Sequence, residues 1–167
     1  MKHNLFNSNK IKIDQSKISG RGVFAKEAMG PAEIIEQCHF IIPDAEYGGK
    51  DKNLLRYMFS FFSKDQEQKV QKARTKLDLA KLLAFNEDFK ERAADFIELG
   101  YNELSGLMSQ AVVLGHGMIY NHSQDPNVGF QFNEKCFCFD YFTLTDINKD
   151  EELFINYGNT DLREDIT

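Results

Sequence analysis

The 167-residue chain has no tryptophan and only three cysteines, Cys38, Cys136 and Cys138, which do not read as a disulfide framework. The opening stretch from Met1 to Lys10 lacks the apolar core of a signal peptide. No uninterrupted apolar run is long enough to span a bilayer. Positive charge is not in excess: the formal net charge is −6, which disfavours nucleic acid as the main partner. A basic peptide or protein remains compatible with that sign. There is no internal repeat and no low-complexity segment. Together these absences describe an intracellular soluble protein of the cytoplasm or nucleus, with no membrane role.

What the chain has in quantity is aromatic residues, 15 Phe and 6 Tyr, within a hydrophobic content of 42%. That composition argues for a packed core and against disorder. The length suits a single domain spanning 1–167.

Hydrophobic periodicity divides the chain into strands, then helices, then strands. Ile11 to Ile13, Val23 to Ala25 and Ile34 to Glu36 read as short strands punctuated by Gly20, Gly22, Gly30 and Pro31. His39 to Ile42 reads as a further strand stopped by Pro43. A turn-rich patch with Gly48 and Gly49 follows. Val70, Ala73, Leu77 and Ala80 then recur at helical spacing. Phe89, Ala93, Phe96 and Ile97 form a second helical stripe with Gly100 as its stop. Leu104, Leu107, Met108, Ala111 and Val112 form a third. The charges on the first two stripes are of mixed sign, as on solvated outer faces. β-structure returns with Val128 to Phe132, a turn at Asn133 to Lys135, and a strand from Cys136 to Phe142 carrying Phe137, Phe139 and Tyr141 on one face. A final strand runs from Leu153 to Gly158.

Three constellations invite chemistry. Gly20-Arg21-Gly22 allows a sharp turn and close approach of a ligand to the backbone, although a Gly-x-Gly between two strands also reads as a plain tight turn. The stretch from Tyr120 to Asn127 concentrates amide, imidazole, hydroxyl and carboxylate groups beside apolar sequence. It reads as a polar ligand site or as a capped turn holding a structural histidine. Tyr157, at the end of a strand and before Gly158, reads as a core aromatic or as a phenol that orients an amine.

In this order and spacing, the three constellations resemble the SET-domain protein lysine methyltransferases. Gly20 to Phe24 is similar to the family's N-terminal Gly-x-Gly motif. Tyr120-Asn121-His122-Ser123 with Pro126-Asn127 is similar to its Asn-His-Ser-Cys-x-Pro-Asn motif. Glu151-Glu152-Leu153 through Tyr157-Gly158 is similar to its Glu-Glu-Leu…Tyr-Gly motif. The resemblance runs from about Ile11 to Gly158, apart from a helical insert at about 63–106, where the family accepts variable inserts.

The resemblance implies an α+β, mainly β fold: small antiparallel sheets with a C-terminal pseudoknot and the helical insert. It implies S-adenosylmethionine-dependent methyl transfer to a lysine side chain of a protein or peptide, leaving S-adenosylhomocysteine. The alternative is a non-catalytic module that binds S-adenosylmethionine or a lysine-bearing tail. By the same resemblance, Ser19, Gly20, Arg21, Gly22, Asn121 and His122 bind the cofactor. Tyr157 is the catalytic tyrosine, and the Met118 carbonyl points to the transferring methyl. Tyr57 is either core or channel wall, Tyr120 faces core or site, and Ile155 stands where relatives tune the number of methyls added. Gln124 replaces the motif cysteine and none follows Tyr157, so a zinc site of the family's C-terminal kind cannot be built. A strand Cys136-x-Cys138 pair, even with His39 or His116, has poor zinc spacing, and no metal is expected. Asn156 replaces the usual acidic residue before the tyrosine.

Overall fold

The computed structural model describes residues 5–43, 57–86 and 90–157. Gly48 and Gly49, Leu54 to Arg56, Phe89 and Gly158 lie outside the described residues. The chain forms two compact units, one of residues 1–59 with 111–167 and one of residues 60–110.

The first unit begins with a hairpin. Strands β1 (Ile11–Gln15) and β2 (Arg21–Ala25) pair antiparallel, Ile11 against Ala25 and Gln15 against Arg21. The connection is set by Ser16, whose buried hydroxyl accepts the amides of Ile18 at 2.9 Å and Ser19 at 3.4 Å. Gly20 takes φ +50°, a conformation that glycine adopts without a Cβ penalty. The hairpin extends into a four-stranded sheet ordered β1-β2-β10-β7. In it β10 (Glu152–Ile155) runs antiparallel to β2 and parallel to β7 (Asn121–His122).

A second sheet has the order β3 (Ile34–Cys38), β9 (Cys138–Thr143), β8 (Val128–Asn133). The central strand β9 is buried on both faces, including Phe139, Tyr141 and the polar Asp140 and Thr143. Asp140 is satisfied by Gln37 Nε2 at 2.9 Å and Asn133 Nδ2 at 2.8 Å, as a buried carboxylate requires. A third small sheet is ordered β4 (Phe40–Ile41), β6 (Ser109–Val113), β5 (Met58–Phe61). Val23, Ile35, Val113, Leu153 and Ile155 are wholly buried, each worth about 1.5–3 kcal/mol of transfer free energy.

The second unit holds helices α1 (Glu67–Ala84) and α2 (Lys90–Leu107). Val70, Ala73, Leu77 and Ala80 of α1 are buried, as their spacing predicts. Among the described residues, no helix is long and apolar enough to cross a membrane.

The structure corrects three local expectations. Gly100 does not stop a helix: α2 passes through it and takes in Leu104 and Leu107. The glycine serves close packing instead, since a Cβ there would stand 3.2 Å from Leu77 Cδ1. The third helical stripe is not one element. Ala111 and Val112 belong to β6, where Ala111, Val112 and Val113 are all buried, and a strand covered on both faces loses its alternation. Finally, Cys136 and Phe137 are in the hairpin turn, with Phe137 at φ +50° and 62% exposed. Asn133 Oδ1 accepts the amides of Lys135 and Cys136 at 3.1 and 3.2 Å, an Asx turn that postpones the return strand to Cys138.

Candidate active site

Strand β10 is the organiser. Lying between β2 and β7, it brings the glycine loop, the Asn121-His122 pair and the Tyr157 segment to one end of one sheet. Glu152, at its start, ties them together: Oε1 accepts Asn121 Nδ2 at 2.8 Å and Oε2 accepts the Ser16 hydroxyl at 3.1 Å. The same Asn121 amide reaches the carbonyls of Ser19 and Arg21, each at 3.3 Å. Asn121 therefore spends its donors on holding the loop in shape. Gly22 is required because a Cβ there would lie 2.2 Å from Glu152 Oε1. Ser19, Gly20 and Arg21 are exposed while Gly22 is buried. Asn127 pins the strand from outside the sheet, donating to the Glu152 carbonyl at 3.0 Å and accepting the Phe154 amide at 2.8 Å.

His122 and Tyr157 form the next layer. The Tyr157 amide donates to His122 Nδ1 at 3.2 Å, and the two rings lie 5.2 Å apart. A ring nitrogen that accepts carries no proton, so in neutral His122 the N–H is on Nε2. That nitrogen is buried with no hydrogen-bond partner among the described residues. A buried unsatisfied donor costs about 1–3 kcal/mol and marks a place prepared for an acceptor. The Tyr157 hydroxyl donates to the Tyr120 carbonyl at 2.5 Å.

Behind this layer stands a polar cluster in the core. Met118 ends the 3-10 turn Gly115–Met118, which precedes Tyr120 and is half-buried at Met118. The Tyr120 ring stacks on Tyr141 at 5.1 Å, nearly parallel. Burial raises both phenols well above their ordinary pKa, with the Glu36 charge adding to it. Both therefore stay protonated. Glu36 is 3% exposed, and its Oε1 meets both the amide and the Nδ1 of His116, each at 3.0 Å. Burial drives the Cys38 thiol far above its ordinary range, so it is no nucleophile.

The structure thus brings Ser19, Gly20, Arg21, Gly22, Asn121, His122, Tyr120 and Tyr157 together. Met118 is two residues from Tyr120. Ile155 is fully buried in β10, in register with His122. Tyr57 is 53% exposed, in the turn before β5. Among the described residues no three His, Cys, Asp or Glu side chains are grouped as a metal site. Sequence reasoning passed over Glu36, Ser16 and Tyr141. An acid inside the apolar run Ile34-Ile35-Glu36 was the available signal for the first. For Ser16, no signal was available.

The SET domain family model matches residues 20–158. Over 90 residues the chain is 31% identical to a Schizosaccharomyces pombe histone-lysine N-methyltransferase, H3 lysine-37 specific. The match takes in 52% of this chain and spans 60% of that relative's length. A Plasmodium falciparum crystal structure, described provisionally as a histone methyltransferase, is similar with a TM-score of 0.56 at 22% identity. That likeness covers 91% of this chain and 96% of the other, and it bears out the α+β, mainly β fold of small sheets. Since the family model covers most of the chain, including all three motifs that meet at β10, the chain belongs to the SET domain family.

Proposed function

We propose that this chain is an S-adenosylmethionine-dependent protein lysine N-methyltransferase. The observation that carries the reading is the pairing of a buried His122 Nε2, without a partner among the described residues, with a Tyr157 hydroxyl fixed on the Tyr120 carbonyl. The family membership and the relative's activity support it.

The residues fit the cofactor. Ser19 to Gly22 offer exposed backbone in a loop braced by Asn121 and Glu152. His122 Nε2 offers a donor to a nitrogen or oxygen acceptor. When bound, S-adenosylmethionine supplies an electrophilic methyl on a sulfonium. Tyr157 donates its O–H to a carbonyl, so toward any other group its oxygen can act only as an acceptor. Its lone pairs suit an amine N–H or a polarised methyl hydrogen. Met118 closes a short helical turn, and the last carbonyls of such a turn lack partners within the helix. An in-line transfer moves positive charge from sulfur to nitrogen, so alignment by such oxygens matters more than new charge stabilisation. The lysine has to react as the neutral amine. Aromatic surroundings and a neighbouring sulfonium both lower its pKa, and no general base is assigned.

The test is methyl transfer from tritiated S-adenosylmethionine to a lysine-peptide array, with Tyr157→Phe in parallel. Wild type is expected to label lysine peptides, and the variant to lose about 10- to 1,000-fold in kcat while cofactor affinity by calorimetry holds. Equal activity of the two proteins removes Tyr157 from the chemistry. Cofactor binding by a wild type that labels nothing identifies a binding module instead.

A further inference from the structure

We propose that Glu36 is a positioning residue for this site: its buried carboxylate clamps the Gly115–Met118 turn through His116 and so fixes the Tyr120 carbonyl that holds Tyr157. The inference rests on the methyltransferase reading above and adds a residue to it.

The geometry begins with an irregular strand. In β3 the register against β9 shifts between Ile34 and Glu36, and Ile35 and Glu36 are buried in succession. A bulge of this kind re-aims one side chain, here turning an acid inward. Burying a carboxylate costs several kcal/mol unless partners repay it, yet among the described residues the close hydrogen bonds all fall on Oε1. Oε2 is buried with no partner among the described residues, as is the Tyr120 hydroxyl. A core that sought stability alone would place an apolar side chain here.

The partners of Oε1 show what the acid holds. Both come from His116, one from the backbone and one from the ring, so the carboxylate grips the turn in two places. The turn is cut to receive it. Gly115 takes φ +75°, and a Cβ there would stand 2.8 Å from Glu36 Oε1. Gly117 is pressed against Val113 and the Tyr141 hydroxyl, with 2.6 and 2.8 Å available to a Cβ. The His116 carbonyl then accepts the Ile119 amide at 2.7 Å. The next residue is Tyr120, whose carbonyl accepts the hydrogen bond of the Tyr157 hydroxyl. From Glu36 to Tyr157 the route runs through hydrogen bonds and the chain itself, with backbone atoms held at His116, Ile119 and Tyr120. Misplacement of about 1 Å near a reacting centre costs on the order of 100-fold in rate.

The experiment compares wild type, Glu36→Leu, Glu36→Gln and His116→Ala on the array peptide most active with wild type. Each kcat is corrected for the folded fraction. Glu36→Leu removes the acceptor and is expected to lower kcat by about 10- to 100-fold. Peptide KM and the calorimetric cofactor Kd should stay within about threefold of wild type, because the loop and His122 are untouched. Glu36→Gln keeps an oxygen for the His116 amide and should recover most of the rate. His116→Ala keeps the backbone contact and should sit between them, which preserves the test if the leucine variant does not fold. A folded Glu36→Leu or His116→Ala with wild-type kcat overturns the proposal, as does a glutamine variant no better than leucine. A wild type that labels no lysine peptide refutes the functional reading itself, and the positioning role falls with it.

Discussion

Replacing Gly22 by alanine should damage the site chiefly through its collision with Glu152, with Asn121 Nδ2 a lesser contact at 3.2 Å. The backbone at Gly22 is not left-handed, so an alanine there carries no conformational strain, only a steric one. Its Cβ would meet Glu152 Oε1 at 2.2 Å and Cδ at 2.9 Å, where ordinary contact begins near 3.4 Å. The carboxylate has to retreat by about 1 Å or more to restore normal separation. It is not free to do so cheaply, because Asn121 holds one oxygen at 2.8 Å and Ser16 the other at 3.1 Å. Hydrogen bonds to a charged group contribute about 1.5–3 kcal/mol each. Glu152 is half-buried and recovers part of this from water, which leaves a cost of about 2–4 kcal/mol. For a chain of this length the corresponding fall in Tm is roughly 5–15 °C. Cofactor affinity should fall too, by about tenfold, because the Asn121 amide that braces the Ser19 and Arg21 carbonyls is displaced. Circular dichroism melts and calorimetric titration with S-adenosylmethionine measure both effects. The decisive control is Gly22→Ala on a Glu152→Ala background, where the severe collision is gone and only Asn121 Nδ2 stands close, at 3.2 Å, so the added cost should drop below about 1 kcal/mol. An equal penalty with and without the Glu152 side chain would refute the reasoning.

Other perturbations separate fold from site. Thr143→Val removes a buried hydroxyl that donates to the Gly30 carbonyl at 2.6 Å and accepts the Glu33 amide at 2.9 Å. It should cost about 2–3 kcal/mol in urea denaturation and leave kcat per folded molecule unchanged. His122→Ala should weaken S-adenosylmethionine binding by about 10-fold or more in calorimetry, with a Tm change of only a few degrees. An unchanged Kd would show that Nε2 faces no ligand. The bond to Glu36 raises the His116 pKa above its ordinary value, against smaller opposing effects from burial and Lys26. Its stabilising contribution is then fully present below the unfolded pKa of about 6.5 and lost as pH rises through the higher folded value. The stability gap between wild type and His116→Asn should therefore narrow as pH rises above about 6.5, and a gap that widens contradicts the assignment.

The family and the general architecture were legible because they rest on local chemistry. Gly22 is a glycine for a reason a motif preserves, and Asn121, His122 and Tyr157 occur at strand ends where short polar patterns stand out against apolar ones. What was not legible depends on contacts between distant segments. Gly100 carries the same local signal whether it ends a helix or lets Leu77 approach, and only the neighbouring helix decides. Ala111 and Val112 fit a helical period until burial on both faces of β6 explains them as strand. Phe137 looked like a strand residue because the competing signal was a single side chain, Asn133, bonding to the backbone beyond it. Glu36 was hidden among isoleucines, since no rule of periodicity says which acid in a strand will be turned inward by a bulge.

The place of β10 also sets an order of events. Its partners are β2, made early in synthesis, and β7, made some thirty residues before it. Neither the Asn121 brace nor the Tyr157 anchor has its full complement of partners until Glu152 to Tyr157 has been translated and seated. Until then β2 and β7 are exposed edges, which invite wrong pairing. Closure of such sequence-distant pairs is slow relative to local structure. A chain still growing on the ribosome therefore lacks an assembled site, and the proposed binding of S-adenosylmethionine would report on completed folding.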